Sequence, residues 1–164
     1  MRLSPWILAP ALLGPVVAAC SDDDAENRCG PRRATVSNIV DGDTVDLSTG
    51  ERVRLLMVDT PETTGGANDC YGQEAKQYTM SALLGQEVEL GYDVQCEDQY
   101  GRLLAYVSVQ GREFNALLVE RGYACVLYIP PNGQDRRDEY ETLEYLARTN
   151  GVGMWGACAE VTCD

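Results

Sequence analysis

Apolar and polar residues alternate along Ala34-Thr35-Val36-Ser37-Asn38-Ile39-Val40 and again along Thr44-Val45-Asp46-Leu47, with Asp41-Gly42-Asp43 between the two runs. Period-two alternation puts one side of a strand in a core and the other in water. Asp-Gly between two such runs is a hairpin signal. Ser48-Thr49-Gly50-Glu51 turns the chain again, and Arg52 begins a third strand of a meander. Leu55 to Val58 is a short apolar run, consistent with a strand packed in a core. It ends abruptly in Asp59-Thr60-Pro61-Glu62, where Pro61 stops regular pairing because it has no N–H to donate.

Beyond a Gly/Thr/Asn-rich loop from Thr63 to Asp69, the spacing of Ala75, Tyr78, Thr79, Ala82 and Leu83 predicts a helix over Gly72 to Leu84, stopped by Gly85. Gln86 to Val94 alternates as a fourth strand, Cys96 to Gly101 is a polar turn, and Leu103 to Val109 is a fifth strand. A short helix follows from Glu113 to Arg121, with Phe114, Leu117 and Leu118 inward and Gly122 closing it. Ala124 to Ile129 is extended until Pro130-Pro131-Asn132-Gly133 breaks it. Gln134 to Thr149 is a last helix, burying Tyr140, Leu143 and Ala147, and Trp155 is expected to cap the core. Five short strands, with a helix between the third and fourth and further helices late, predict an α+β fold: a five-stranded OB barrel with about three helices.

Residues 1–19 do not belong to that core. Arg2 precedes an apolar stretch from Leu3 to Ala19 that is interrupted by Pro5, Pro10, Gly14 and Pro15, which makes an export signal rather than a membrane span. The segment ends Val17-Ala18-Ala19-Cys20, which resembles a bacterial lipoprotein signal with lipid on Cys20; a plain secretory signal is the alternative. Residues 20–33 then form a polar linker, and residues 34–164 the domain. Ser21 after the cysteine favours sorting to the outer membrane, with a secreted or periplasmic protein as the other outcome. The six remaining cysteines, Cys29, Cys70, Cys96, Cys125, Cys158 and Cys163, suit disulfides in an oxidising compartment, and no pairing is fixed by the sequence.

The chain contains no histidine, which excludes Ser-His-Asp and Cys-His catalysis and any His-ligated metal. Acid and base work is left to carboxylates, Lys and Tyr. The formal net charge of −13 argues against a non-specific nucleic-acid binder. It leaves room for a site in which local arginines and a cation meet a phosphate. The strand ending at Asp59, Thr60 and Glu62, with Arg54 further back, is a scaffold for a metal or acid/base site; an ordinary turn is the alternative.

Three separated motifs, Val40-Asp41-Gly42-Asp43-Thr44, Arg54-Leu55-Leu56-Met57-Val58-Asp59-Thr60-Pro61-Glu62 and Asp98-Gln99-Tyr100-Gly101-Arg102, together resemble the staphylococcal nuclease (thermonuclease) family. Tyr71-Gly72-Gln73-Glu74-Ala75, Phe114-Asn115, Gly122-Tyr123-Ala124 and Gly153-Met154-Trp155 extend the likeness over about Ala34 to Gly156. The resemblance implies an OB-fold, calcium-dependent phosphodiesterase acting on DNA or RNA and leaving 3′-phosphates. Carried over by position, Asp43 and Asp59 bind calcium through carboxylates and Thr60 through its carbonyl, with Asp41 a nearby acid. Arg54 and Arg102 grip the scissile phosphate, Glu62 is the general base for water, and Tyr100 and Tyr128 lie beside the nucleotide. Calcium prefers oxygen ligands, which suits a site without histidine, and guanidinium forks match phosphate geometry.

There are departures from the family. Gln99 stands where Lys is common, Pro130 where a second tyrosine is often found, and the loop after Glu62 lacks basic residues. The expectation is a monomeric, lipid-anchored, calcium-dependent nuclease. The competing expectations are a non-catalytic OB module that binds nucleic acid or another polyanion, and a disulfide-stapled structural lipoprotein with a vestigial site.

Overall fold

The computed structural model describes residues 29–63 and 69–161. The expected signal, the expected lipidation site Cys20, most of the expected linker, most of the loop after Glu62, and Cys163 lie outside the described residues. In chain order the strands and helices are β1 (Arg33–Asp41), β2 (Thr44–Leu47), β3 (Arg52–Leu55), β4 (Met57–Asp59), α1 (Gly72–Leu83), β5 (Glu87–Glu97), β6 (Leu103–Val109), β7 (Arg112–Glu113), α2 (Phe114–Glu120), β8 (Cys125–Leu127), α3 (Arg137–Thr149) and α4 (Met154–Ala157). A 3-10 turn, Gln134–Arg136, leads into α3.

The predicted meander forms: β1 pairs antiparallel with β2 and β2 with β3. β1 is long enough to serve a second neighbour, its first residues pairing with β5, which in turn pairs with β6. Parallel pairing of β3 with β6, Val53 opposite Leu103 and Leu55 opposite Ala105, closes the ring into a five-stranded barrel. Val36, Val45, Val53, Val88 and Val107 fill its interior, as the alternation requires. Helix α1 adds Ala75, Thr79 and Leu83, α2 adds Phe114 and Leu118, and α3 adds Tyr140. Trp155 is only partly buried and lies beneath the Arg148 guanidinium, 4.2 Å from its ring; its neighbour Met154 is the residue that enters the core.

The apolar run Leu55 to Val58 is two strands rather than one. Met57 adopts φ 65°, the left-handed region that L residues rarely occupy, and this separates β3 from β4. β4 then leaves the barrel wall and pairs antiparallel with β8. The fully buried Asn115 holds the break: its Nδ2 donates to Leu56 O (2.9 Å) and Ala105 O (3.1 Å), and its Oδ1 accepts the Val107 N–H (2.9 Å). Leu56 N–H donates to Ala105 O at 3.0 Å. These bonds satisfy backbone groups that the interrupted ladder would otherwise leave buried and unmet.

Disulfides join Cys29 to Cys96 and Cys70 to Cys158, and Cys125 is also disulfide-bonded. The first ties the segment before β1 to the end of β5, and the second ties the residue before Tyr71 and α1 to the residue after α4.

Candidate active site

The Asp41-Gly42-Asp43 turn is packed rather than exposed, with both carboxylate residues at 5 % accessibility. Gly42 is required there, since a Cβ would stand 2.7 Å from Thr60 Oγ1. From α1, Thr79 Oγ1 donates to Gly42 O (2.6 Å) and Lys76 Nζ to Val40 O (2.8 Å), fixing the turn against the helix. Asp43 Oδ2 accepts from the Thr60 N–H (2.9 Å) and hydroxyl (3.0 Å), and its Oδ1 from the Thr44 hydroxyl (2.9 Å). Asp41 Oδ1 accepts from the Gly42 N–H and the Thr63 hydroxyl, both at 2.9 Å. The turn between β1 and β2 is thereby joined to the segment after β4.

Arg54 couples these acids to the strand break. Its Nη1 donates to Leu55 O (2.8 Å) and Val58 O (2.6 Å), spanning the β3–β4 kink. Its Nη2 donates to Asp59 Oδ1 at 2.9 Å, and its Nε lies 3.4 Å from Asp43 Oδ1. One planar, multi-donor group satisfies acceptors from three directions, which a lysine ammonium on its flexible stem would not reproduce.

Arg54 also lines a cavity of about 370 Å³ together with Arg102, Asp98 and Tyr100. Asp98 builds the turn that presents Arg102. Its Oδ1 accepts the N–H groups of Tyr100 (2.9 Å) and Arg102 (3.0 Å), and its Oδ2 accepts Arg102 Nε at 2.6 Å. Burial works to raise the Asp98 carboxyl's pKa, but the backbone and side-chain hydrogen bonds from Arg102 and Tyr100 outweigh it and hold the group below the usual carboxylate range. The Arg102 guanidinium sits 5.5 Å from the Tyr100 ring centroid, and that ring is 75 % exposed at the rim.

Part of the cavity wall is aliphatic and includes Leu104, Leu127 and Ile129. Alternation along β8 and its continuation places Leu127 and Ile129 on this wall. Tyr128 does not line the cavity and packs under Arg137 instead, 5.0 Å from guanidinium to ring centroid. The expected pair of Tyr100 and Tyr128 beside a nucleotide is therefore not brought together; Tyr100 lines the cavity with Leu127 and Ile129. Glu62 is exposed just beyond Pro61, with its N–H donated to Asp69 Oδ2 at 3.2 Å, and it too lies outside the cavity lining.

Among the described residues, no three acidic or thiol side chains converge on one point as a ready-made metal cage. The donor chemistry nevertheless fits a hard divalent cation: Asp41, Asp43 and Asp59 supply carboxylates, Thr60 a carbonyl and hydroxyl, and Arg54 is the guanidinium placed between two of the acids. In this arrangement the carboxylate oxygens named above accept from protein donors.

Asp98, Asp69 and Asn115 do structural work at the site beyond the roles that the sequence assigns, where Asp98 and Asn115 stand only as parts of motifs. Asp98 carried a usable signal: an Asp whose side chain accepts N–H groups two and four residues on, before a glycine at positive φ, is an Asx-type turn. Asn115 entered the sequence reading only as part of the Phe114-Asn115 likeness, and its role was not legible because its partners come from β6 and from Leu56 at the kink between β3 and β4.

A closed OB barrel with buried acids at one turn and two arginines lining an adjacent cavity defines the class of protein. The chain belongs to the staphylococcal nuclease homologue family, whose model matches residues 52–157. It is 41 % identical over 106 residues to the thermonuclease of Staphylococcus intermedius, covering 62 % of this chain and 63 % of that protein. It is 32 % identical over 135 residues to the endonuclease YncB of Bacillus subtilis (strain 168), covering 78 % of this chain and 64 % of that protein. A thermonuclease of Staphylococcus hyicus is 38 % identical over 102 residues, covering 59 % of this chain and 60 % of that protein. The matches thus span under two thirds of the length of these relatives.

Proposed function

We propose that this protein is a nuclease, a calcium-dependent phosphodiesterase that hydrolyses DNA or RNA and leaves 3′-phosphate ends. The observation that carries the proposal is the lining of one cavity by both Arg54 and Arg102, with Arg54 in turn bonded to Asp59 and close to Asp43. Phosphodiester hydrolysis builds negative charge on phosphoryl oxygens, and two fixed guanidiniums stabilise that charge better than mobile water does. Asp98 consumes the Nε of Arg102, which leaves its terminal nitrogens for a phosphate.

Asp43, Asp59 and the Thr60 carbonyl would hold the calcium ion, with Asp41 adding negative charge nearby. When bound, the cation supplies further charge stabilisation at the phosphate. Glu62 takes the proton from the attacking water. The cavity lined by Arg102, Tyr100 and aliphatic side chains receives a nucleotide. The fuller proposal places the mature protein on the cell envelope as a monomer, anchored by lipid at Cys20 and facing an oxidising compartment, which accords with its disulfides.

The test is hydrolysis of single-stranded DNA and RNA by the purified mature domain, with calcium and with EGTA, and with product ends identified. The expected result is calcium-dependent cleavage that falls at least about 100-fold in Glu62→Gln and in Arg102→Gln. Tight nucleic-acid binding without cleavage would instead make the domain a binding module. Neither binding nor cleavage, together with no measurable calcium affinity, would make the site vestigial.

A further inference from the structure

Glu62 occupies an exposed segment, yet the backbone on both sides of its Cα is pinned. Its N–H donates to Asp69 Oδ2 at 3.2 Å, and its carbonyl accepts the Asp69 N–H at 3.1 Å. Pro61 precedes it with a ring-fixed φ, and the Thr63 hydroxyl that follows is donated to Asp41. Fixing the peptide planes before and after one residue fixes its Cα–Cβ vector, so the Glu62 carboxylate retains only its side-chain torsions.

A second, independent contact presses on the same segment. Gly72, the first residue of α1, lies so close that a Cβ there would stand 2.8 Å from Pro61 O and 3.1 Å from Glu62 O. The Gly72 N–H donates to Asp69 O at 3.1 Å, so Asp69 is held by the helix start while it holds Glu62. Its neighbour Cys70 is cross-linked to Cys158, immediately after α4.

We propose that Asp69 is a positioning residue for Glu62, clipping its backbone in the orientation that catalysis needs, and that the Cys70–Cys158 bond ties this clip to the C-terminal end of the fold. The proposal rests on the assignment of Glu62 as base in a nuclease. The structural logic is orientation: a base held near its attack geometry gains rate by avoiding conformational search. Asp69 does this without touching substrate, so its loss acts on turnover rather than on binding.

The experiment uses the mature, oxidised domain with single-stranded DNA and calcium. Asp69→Ala is expected to lower kcat about 10-fold while changing KM less than about 2-fold. Asp69→Asn keeps an acceptor oxygen and restores most of the rate. In a Glu62→Gln background, Asp69→Ala adds no further loss, because the residue acts through Glu62. Independently of activity and without metal, hydrogen exchange at the Glu62 amide quickens in Asp69→Ala and stays slow in Asp69→Asn. Losses that multiply in the double variant, an unchanged kcat in Asp69→Ala, or unchanged amide exchange each overturn the proposal while leaving the nuclease assignment intact. A wild-type domain that cleaves nothing overturns both.

Discussion

Arg54 Nη2 donates to Asp59 Oδ1 at 2.9 Å while its Nε lies 3.4 Å from Asp43 Oδ1, so one guanidinium stands between an acid at the end of β4 and an acid in the turn between β1 and β2. All three side chains are largely shielded, at 13 %, 17 % and 7 % accessibility for Arg54, Asp59 and Asp43. Removing one member of such a group is costly because charge is left in a poorly solvated place. Arg54→Met is expected to lower unfolding stability by about 3 kcal/mol in EGTA. Calcium should recover part of that loss by facing the same carboxylates. Urea unfolding with and without calcium checks this; an identical loss in both conditions counts against cation binding at these acids.

Asp98 predicts a pH dependence. Its carboxyl is held below the usual range in the folded protein, so the stability it contributes is present above the unfolded carboxylate value of about 4 and is lost as pH falls through the lower folded value. Asp98→Asn should therefore be less stable than the wild type at neutral pH, with the gap narrowing as acid is added. A gap that is constant down to the acid transition would remove the linkage. The same variant should slow turnover about 10-fold, since Arg102 loses the partner of its Nε.

The walls of the cavity predict unequal roles for neighbouring residues. Tyr100→Ala should raise KM for an oligonucleotide several-fold, and Tyr128→Ala should change it little, because Tyr128 packs under Arg137 outside the cavity. Ile129→Tyr puts an aromatic face on the aliphatic wall, where base stacking is worth about 1 kcal/mol, or roughly a 5-fold lower KM. Steady-state kinetics on the three variants decide this; a larger effect at Tyr128 than at Tyr100 would reverse the assignment.

The Cys29–Cys96 bond closes a loop with a sequence separation of 67 residues. Chain-entropy reasoning gives it about 4 kcal/mol, with delivered values of roughly 2–4. Cys29→Ser/Cys96→Ser is expected to lower the unfolding midpoint by about 10 °C. Calorimetry on the double variant checks it, and a shift of only one or two degrees would mean that the native packing already restrains the ends.

The meander, the helix inserted before β5 and the closing helices were legible because each rests on local periodicity and turn chemistry. The Asp41-Gly42-Asp43 hairpin is the clearest case. The break at Met57 was not legible, since Leu55, Leu56, Met57 and Val58 are all buried on both sides of it and no alternation marks the change of partner. Tyr128 was assigned by position in a motif, whereas its side-chain direction depends on strand phase, which a one-residue difference inverts. Asp69 and Asp98 carry no site-building signal beyond local turn chemistry because their carboxylates accept from backbone N–H groups, and those donors converge only once the turns have formed.

The bond between Cys29 and Cys96 has a mechanical meaning for a domain tethered from its N-terminal side. Drag on the residues before Cys29 enters the barrel through a covalent link to the end of β5, so the hydrogen bonds at the start of β1 are shielded from being peeled one at a time. The load arrives two residues before Asp98. If the chain is held at Cys20 as proposed, tension in that tether is delivered to the turn that aims Arg102.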